Sequence, residues 1–121
     1  MNVESLRSYC LTLPSATEDM PFDDEHLVFR VFGKIFACLS LTGDDIVALK
    51  CDADYAVELR ASSPFVEPAF HWNKKYWNQI CISGGADTDF ILSLVRHSYS
   101  QVVAKLPAKM RNAHPELTEI N

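Results

Sequence analysis

Residues 69–78, Ala69-Phe70-His71-Trp72-Asn73-Lys74-Lys75-Tyr76-Trp77-Asn78, concentrate more chemically capable side chains than any other stretch of this chain. Both tryptophans, a histidine, two lysines, two asparagines, a tyrosine and a phenylalanine stand in ten consecutive positions. A buried strand would be aliphatic and an exposed one polar. Here aromatic bodies alternate with hydrogen-bond donors and positive charge, a combination suited to gripping something flat, anionic or both. The competing reading is an edge hairpin whose aromatics pack on the core while Asn73-Lys74-Lys75 forms its solvated turn.

Other candidates for chemistry are thinner. The remaining histidines are His26, His97 and His114, and no nucleophile motif accompanies them, so no catalytic residues are expected. His97 neighbours an apolar helical stripe and reads as a structural histidine. Gly84-Gly85 lacks the spacing of a phosphate loop and reads as a turn. The acidic run from Glu18 to Glu25 lacks the alternating spacing of a calcium loop and reads as solvated charge, so neither metal nor cofactor is expected. Cys10, Cys38, Cys51 and Cys81 form no Cys-x-x-Cys pair and read as separate free thiols.

The net charge of −5 argues against generic nucleic-acid binding. Along the chain, however, the charge is uneven. Residues 1–70 carry 12 acids and 5 bases, whereas residues 71–111 carry 6 bases and only Asp87 and Asp89 as acids. Lys105, Lys109 and Arg111 follow the last apolar stripe, where cations complement a helix dipole. If that terminus packs beside residues 71–77, they join Lys74 and Lys75 in a basic surface with aromatics set in it.

The elements that would position these residues follow from pattern. Asn2 caps a helix over 3–12, and Pro14 ends it. Residues 14–26 read as an acidic loop. Strands are expected over 27–32 and 35–41, joined by a two-residue turn at Gly33-Lys34, and a third over 46–50. Asp52 caps a helix over 53–62. A second hairpin is expected over 65–71 and 76–82, and Asp87 caps the longest helix, over 88–105. Residues 1–111 make one domain and 112–121 a mobile tail. The expected fold is α+β in two layers, a five-stranded antiparallel sheet with helices on one face, in the order α-β-β-β-α-β-β-α. No apolar run reaches membrane-spanning length and no basic-then-apolar leader is present, so a cytoplasmic location is expected.

Four segments together resemble the MmcQ/YjbR family: FHWNKKYWN (70–78), LPSATEDMPFDDEHLVFRVFGKIFACLSL (13–41), ALKCDADYAVELR (48–60) and HSYSQVVAKLPAKMR (97–111). The resemblance spans about residues 3–111. It implies a compact α+β fold related to CyaY-like and secretion-chaperone folds. It also implies a DNA-binding designation that rests on shape analogy, and it supplies no catalytic residue. Three function classes follow. The first is a nucleic-acid-binding module using His71, Trp72, Asn73, Lys74, Lys75 and Trp77, with Lys105, Lys109 and Arg111 alongside. The second is a protein- or peptide-binding, chaperone-like module. The third is a small-ligand or metal-binding protein.

Overall fold

Helix α1 (Val3–Thr12) begins where Asn2 and Ser5 form a reciprocal capping box, the Asn2 side chain accepting from the Ser5 amide at 2.8 Å. In the computed structural model, which describes residues 1–120, six strands follow: β1 (Ala16–Asp19), β2 (His26–Val31), β3 (Lys34–Ser40), β4 (Ile46–Lys50), β5 (Val66–Pro68) and β6 (Trp77–Cys81). They pair antiparallel throughout, in the order β1-β2-β3-β4-β6-β5. Helix α2 (Ala53–Ser62) lies between β4 and β5. Helix α3 (Thr88–Ala104), helix α4 (Ala108–Ala113) and a 3₁₀ turn (Pro115–Thr118) follow β6.

The sheet therefore has six strands, not the expected five, and the helices number four, not three. The extra strand, β1, falls inside the segment expected to be an acidic loop. Its four residues bury little, so no apolar pattern announces it. Ion pairs to other elements hold it instead. Arg7 of α1 grips Glu18, with Nε donating at 2.7 Å, and Arg30 of β2 donates to Asp19 at 2.8 Å. The Arg7 hydrogen bond keeps the Glu18 carboxyl below its usual range. The extra helix, α4, starts just after Pro107, two residues beyond the expected end of the longest helix at 105. The 3₁₀ turn lies within the segment expected to be a mobile tail, and its Leu117 is buried in the main core. Position 121 of that segment lies outside the described residues.

The first hairpin turn is also shifted by one position. It is made by Phe32 and Gly33, with φ of 46° and 81°, so glycine takes the second of two left-handed positions. The second hairpin is much shorter than 65–71 paired with 76–82. Only Val66–Pro68 pairs with β6, and residues 69–76 cross the sheet as a loop.

Alternation along the strands divides the molecule into two unequal cores. Phe29, Val31, Ala37, Leu39, Val47, Leu49 and Ile80 point to the helix side. There they meet Leu6 and Cys10 of α1, Ala56 and Leu59 of α2, and Ile91, Val95, Tyr99 and Val102 of α3. The opposite face carries a small cluster, Val28, Cys38, Ala48, Ala69 and Trp77, with Ile35 and Trp72 against it. No helix covers this second face. The loop over 69–76 supplies its roof.

One buried hydroxyl sets the shape of the sheet at the far end of β3 and β4. Phe36 is the extra residue of a bulge, since Phe29 faces Ala37 while Arg30 faces Ile35. The β3–β4 ladder stops at Ala37 and Leu49, one step short of Phe36 and Lys50. Ser98 of α3, fully buried, fills the gap. Its Oγ accepts from the Lys50 amide at 2.8 Å and donates to the Phe36 carbonyl. A side chain thus stands in for one rung of the ladder between β3 and β4.

Candidate functional site

Two recesses flank the small cluster, one at each end of the strands, and the C-terminal end of α3 reaches into the first. This first recess, a groove of about 570 Å³, has walls formed by Arg30, Lys34, Ile35, Lys50, Trp77 and Lys105, with Val102 at its floor. Each wall residue has a structural reason for its place. Arg30, Ile35, Lys50 and Trp77 occupy alternate, helix-free positions of four neighbouring strands, with Lys50 directly opposite Trp77. Lys34 follows the glycine turn, and Lys105 caps the C-terminus of α3. Four cations line the groove and no carboxylate does. Arg30 is already engaged, with Asp19 and with the Gly33 carbonyl at 3.0 Å. Among the described residues, no carboxylate lies within ion-pairing distance of Lys34, Lys50 or Lys105.

The second recess, of about 550 Å³, sits at the other end of the same strands. Phe22, Phe70 and Trp72 form its aromatic walls, and Asp23, Asp44, His26 and His71 supply its ionisable groups. Neither Lys nor Arg lines it. Asp23 is held by the amides of Glu25 and His26, each at 2.9 Å, and by His26 Nδ1 at 3.0 Å. The Glu25 amide and then the His26 ring keep the Asp23 carboxyl below its usual range. Ser40 stands opposite His26 across the ladder, but its Oγ bonds Thr42 Oγ1 at 2.8 Å, so no serine–histidine–aspartate relay forms.

Between the recesses stand the two tryptophans, stacked with ring centroids 4.3 Å apart and 28° between planes. Trp77 is 9 % exposed and lines the groove; Trp72 keeps more exposure and lines the second recess. Each takes part of the other's face, so Trp77 is a core residue and no free stacking platform. The other predicted residues of this segment separate as well. Asn73 builds its own turn, Oδ1 accepting from the Lys75 amide at 3.1 Å. The Lys74 and Lys75 ammonium groups sit 5.5 and 5.4 Å from the centres of the exposed Phe70 and Tyr76 rings. His71 joins the second recess. Lys105 meets Trp77 in the groove, whereas Lys109 and Arg111 lie on α4 and line neither recess.

Arg30, Lys34 and Lys50 are the site residues that sequence reasoning missed. For Arg30 and Lys50 the signal was parity; Lys34, opposite the core residue Val31, carried no such signal. Arg30 and Lys50 occupy the same outward phase as Val28 and Ala48, and that phase carries them to one end of one face. His97 is structural, as expected: its Nε2 accepts from the Asp52 amide at 3.1 Å, and burial holds its pKa below the usual value. The four cysteines are free thiols, three of them buried, and burial pushes Cys10 up to about 12 and Cys38 and Cys51 to about 11.

The sequence and the fold both match known proteins. The YjbR family model matches residues 11–101. The chain belongs to the YjbR family. The YjbR protein of Escherichia coli K12 is 30 % identical over 112 residues, covering 92 % of this chain and 95 % of that one. The YbdF protein of Escherichia coli O157:H7 is 30 % identical over 101 residues, 83 % of each chain. Among solved structures, the Deinococcus radiodurans protein DR2400, described by the domain name DUF419, superposes with a TM-score of 0.85. It is 35 % identical, covering 93 % of this chain and 86 % of that one. A Pseudomonas syringae protein superposes with a TM-score of 0.73 at 25 % identity, covering 84 % of this chain and 99 % of that one.

Proposed function

We propose that this member of the YjbR family is a small cytoplasmic nucleic-acid-binding module that grips the phosphate backbone in the Arg30–Lys34–Lys50–Lys105 groove. The observation that carries this reading is the local charge. Four cations line the groove without a carboxylate among them, on a chain whose net charge is −5. Phosphate contacts dominate nucleic-acid affinity, and a local basic groove supplies them whatever the global balance. The aromatic–basic loop adjoins the groove. Tyr76 directly precedes Trp77, and its carbonyl accepts from the Cys51 amide, next to Lys50. Tyr76, 40 % exposed with Lys75 beside it, offers a face on which an unpaired base stacks. A single strand fits this arrangement better than a duplex, because stacking requires bases free of partners.

The test is fluorescence anisotropy with labelled single- and double-stranded oligonucleotides over a range of salt. Three unpaired cations, Lys34, Lys50 and Lys105, give a slope of roughly −2 on single strands, at about −0.7 per neutralised phosphate. Replacing Lys34 and Lys50 by Ala together flattens that slope by about 1.4. Absence of binding at low salt by the folded protein would rule the reading out.

A further inference from the structure

We propose that the second recess, lined by Asp23, Asp44 and the aromatic walls Phe22, Phe70 and Trp72, binds a small organic cation: a protonated amine carried on an apolar or aromatic body. The inference stands apart from the nucleic-acid reading, since the two recesses lie at opposite ends of the strands and only the stacked tryptophans divide them.

Size, wall chemistry and charge each point the same way. At about 550 Å³ the recess falls within the roughly 300–1,000 Å³ of small-molecule sites. Its walls are aromatic and unusually open to solvent for residues of their kind. Phe22 is 61 % exposed and meets Trp72 edge to face at 6.4 Å, so the two rings form a corner of the recess. Large exposed aromatics gathered around one hollow mark a place where something is covered.

The charge then selects the occupant. Asp23 and Asp44 are the anionic groups, and the facing titratable groups are His26 and His71, with the Cys38 thiol below. Asp23 is fully committed to its turn and to His26. Asp44 is freer, because only Oδ1 is used, by the Ile46 amide at 3.3 Å. It forms no ion pair among the described residues. An ammonium group beside Asp44, with its body against Trp72 and Phe22, gains both a carboxylate and ring faces. The protein already makes a contact of this type at the rim, where Lys74 lies over Phe70. An anion would meet two carboxylates, and neither Lys nor Arg lines the recess; Lys74 lies outside it, at the rim.

A charge series on one skeleton tests this: phenethylamine, 2-phenylethanol and phenylacetate, titrated into the free protein while tryptophan fluorescence and amide NMR shifts around Gln79 are followed. The amine is expected to bind about tenfold more tightly than the alcohol, and the acid not at all. D44N, which retains the Oδ1 contact to Ile46 and leaves the core untouched, is expected to remove most of the advantage of the amine over the alcohol. Equal binding of amine and alcohol, preference for the acid, absence of binding by all three, or an unchanged amine preference in folded D44N would each overturn the proposal. Binding of nucleic acid has no bearing on any of these outcomes.

Discussion

The two recesses at the ends of the strands are nearly equal in volume, about 570 and 550 Å³, and opposite in charge. The same strands build both. Strand β2 contributes His26 to one end and Arg30 to the other, with buried Val28 between; β4 contributes Ile46 and Lys50 with Ala48 between. The cations Arg30 and Lys50 stand near the ends of these strands, and the anions Asp23 and Asp44 stand in the loops that lead into them, so charge segregates along the strand direction. The acidic first half and basic second half of the sequence are a different division. Three of the four groove cations come from the acidic half. A global charge balance, or a balance by sequence block, averages over the length scale on which a bound ligand feels the field.

The sharpest way to break the comparison is to remove its divider. Trp77→Ala deletes a nearly buried ring stacked on Trp72 and should cost about 3–5 kcal/mol. Both recesses should fail together. Trp72→Ala removes a half-exposed ring that lines only the amine site. It should lower stability by roughly 1 kcal/mol and weaken phenethylamine while leaving oligonucleotide affinity intact. Chemical denaturation alongside both titrations separates these outcomes; equal losses at both sites in the Trp72 variant would mean that the recesses are one unit.

Ser98→Ala comes next in size. It leaves the Lys50 amide and the Phe36 carbonyl buried without their bridge, at a cost of about 1–3 kcal/mol for each group left unmatched. The urea midpoint should fall with an unchanged slope, and the groove, lined by Lys50 and by Val102 of the same helix, should lose affinity before the amine site does. A midpoint shift worth less than about 0.5 kcal/mol would mean that the strands close the rung on their own.

A crossed pair of surface variants sharpens the contrast at smaller amplitude. Lys50→Ala should flatten the single-strand salt slope by about 0.7 and leave phenethylamine binding alone. Asp44→Asn should do the reverse. Either variant affecting both ligands would refute the independence of the two ends.

The smallest effect expected is a pH dependence at the groove end. His97 accepts a hydrogen bond from the Asp52 amide and has its pKa lowered by burial, so the unfolded chain takes up its proton first as pH falls. Stability from this residue is complete above the ordinary value of 6.5 and declines as pH drops below it, until the folded protein is protonated too. Denaturation at pH 8 and at pH 6 should show a modest loss that His97→Gln reduces. A gain in stability on acidification would have the sign wrong.

Local signals made much of this fold legible in advance. Asn2 and Asp52 mark the starts of α1 and α2, and β4 has the expected bounds. What escaped is whatever depends on residues distant in the chain. Strand β1 is four residues of mixed polarity whose strand identity rests on Arg7 and Arg30. The aromatic segment was recognisable as unusual, yet its division into two faces follows from Trp72 lying in a loop while Trp77 lies in a strand, and residue types do not encode that. Lys34 and Lys50 read as an ordinary turn and an ordinary strand end, and they share one opening because the pairing of β3 with β4 sets the start of one strand beside the end of the other.

That hydroxyl also gives the protein an internal gauge. Because the Lys50 amide donates to a side chain of α3 and not to a neighbouring strand, its proton exchanges with solvent only when the helix lifts from the sheet. The adjoining Leu49 and Trp77 positions belong to strand pairs and answer to the sheet itself. Comparing the deuterium uptake of Lys50 with theirs would therefore read the docking of one helix separately from the integrity of the layer beneath it. One resonance would report a motion that bulk unfolding measurements merge with everything else.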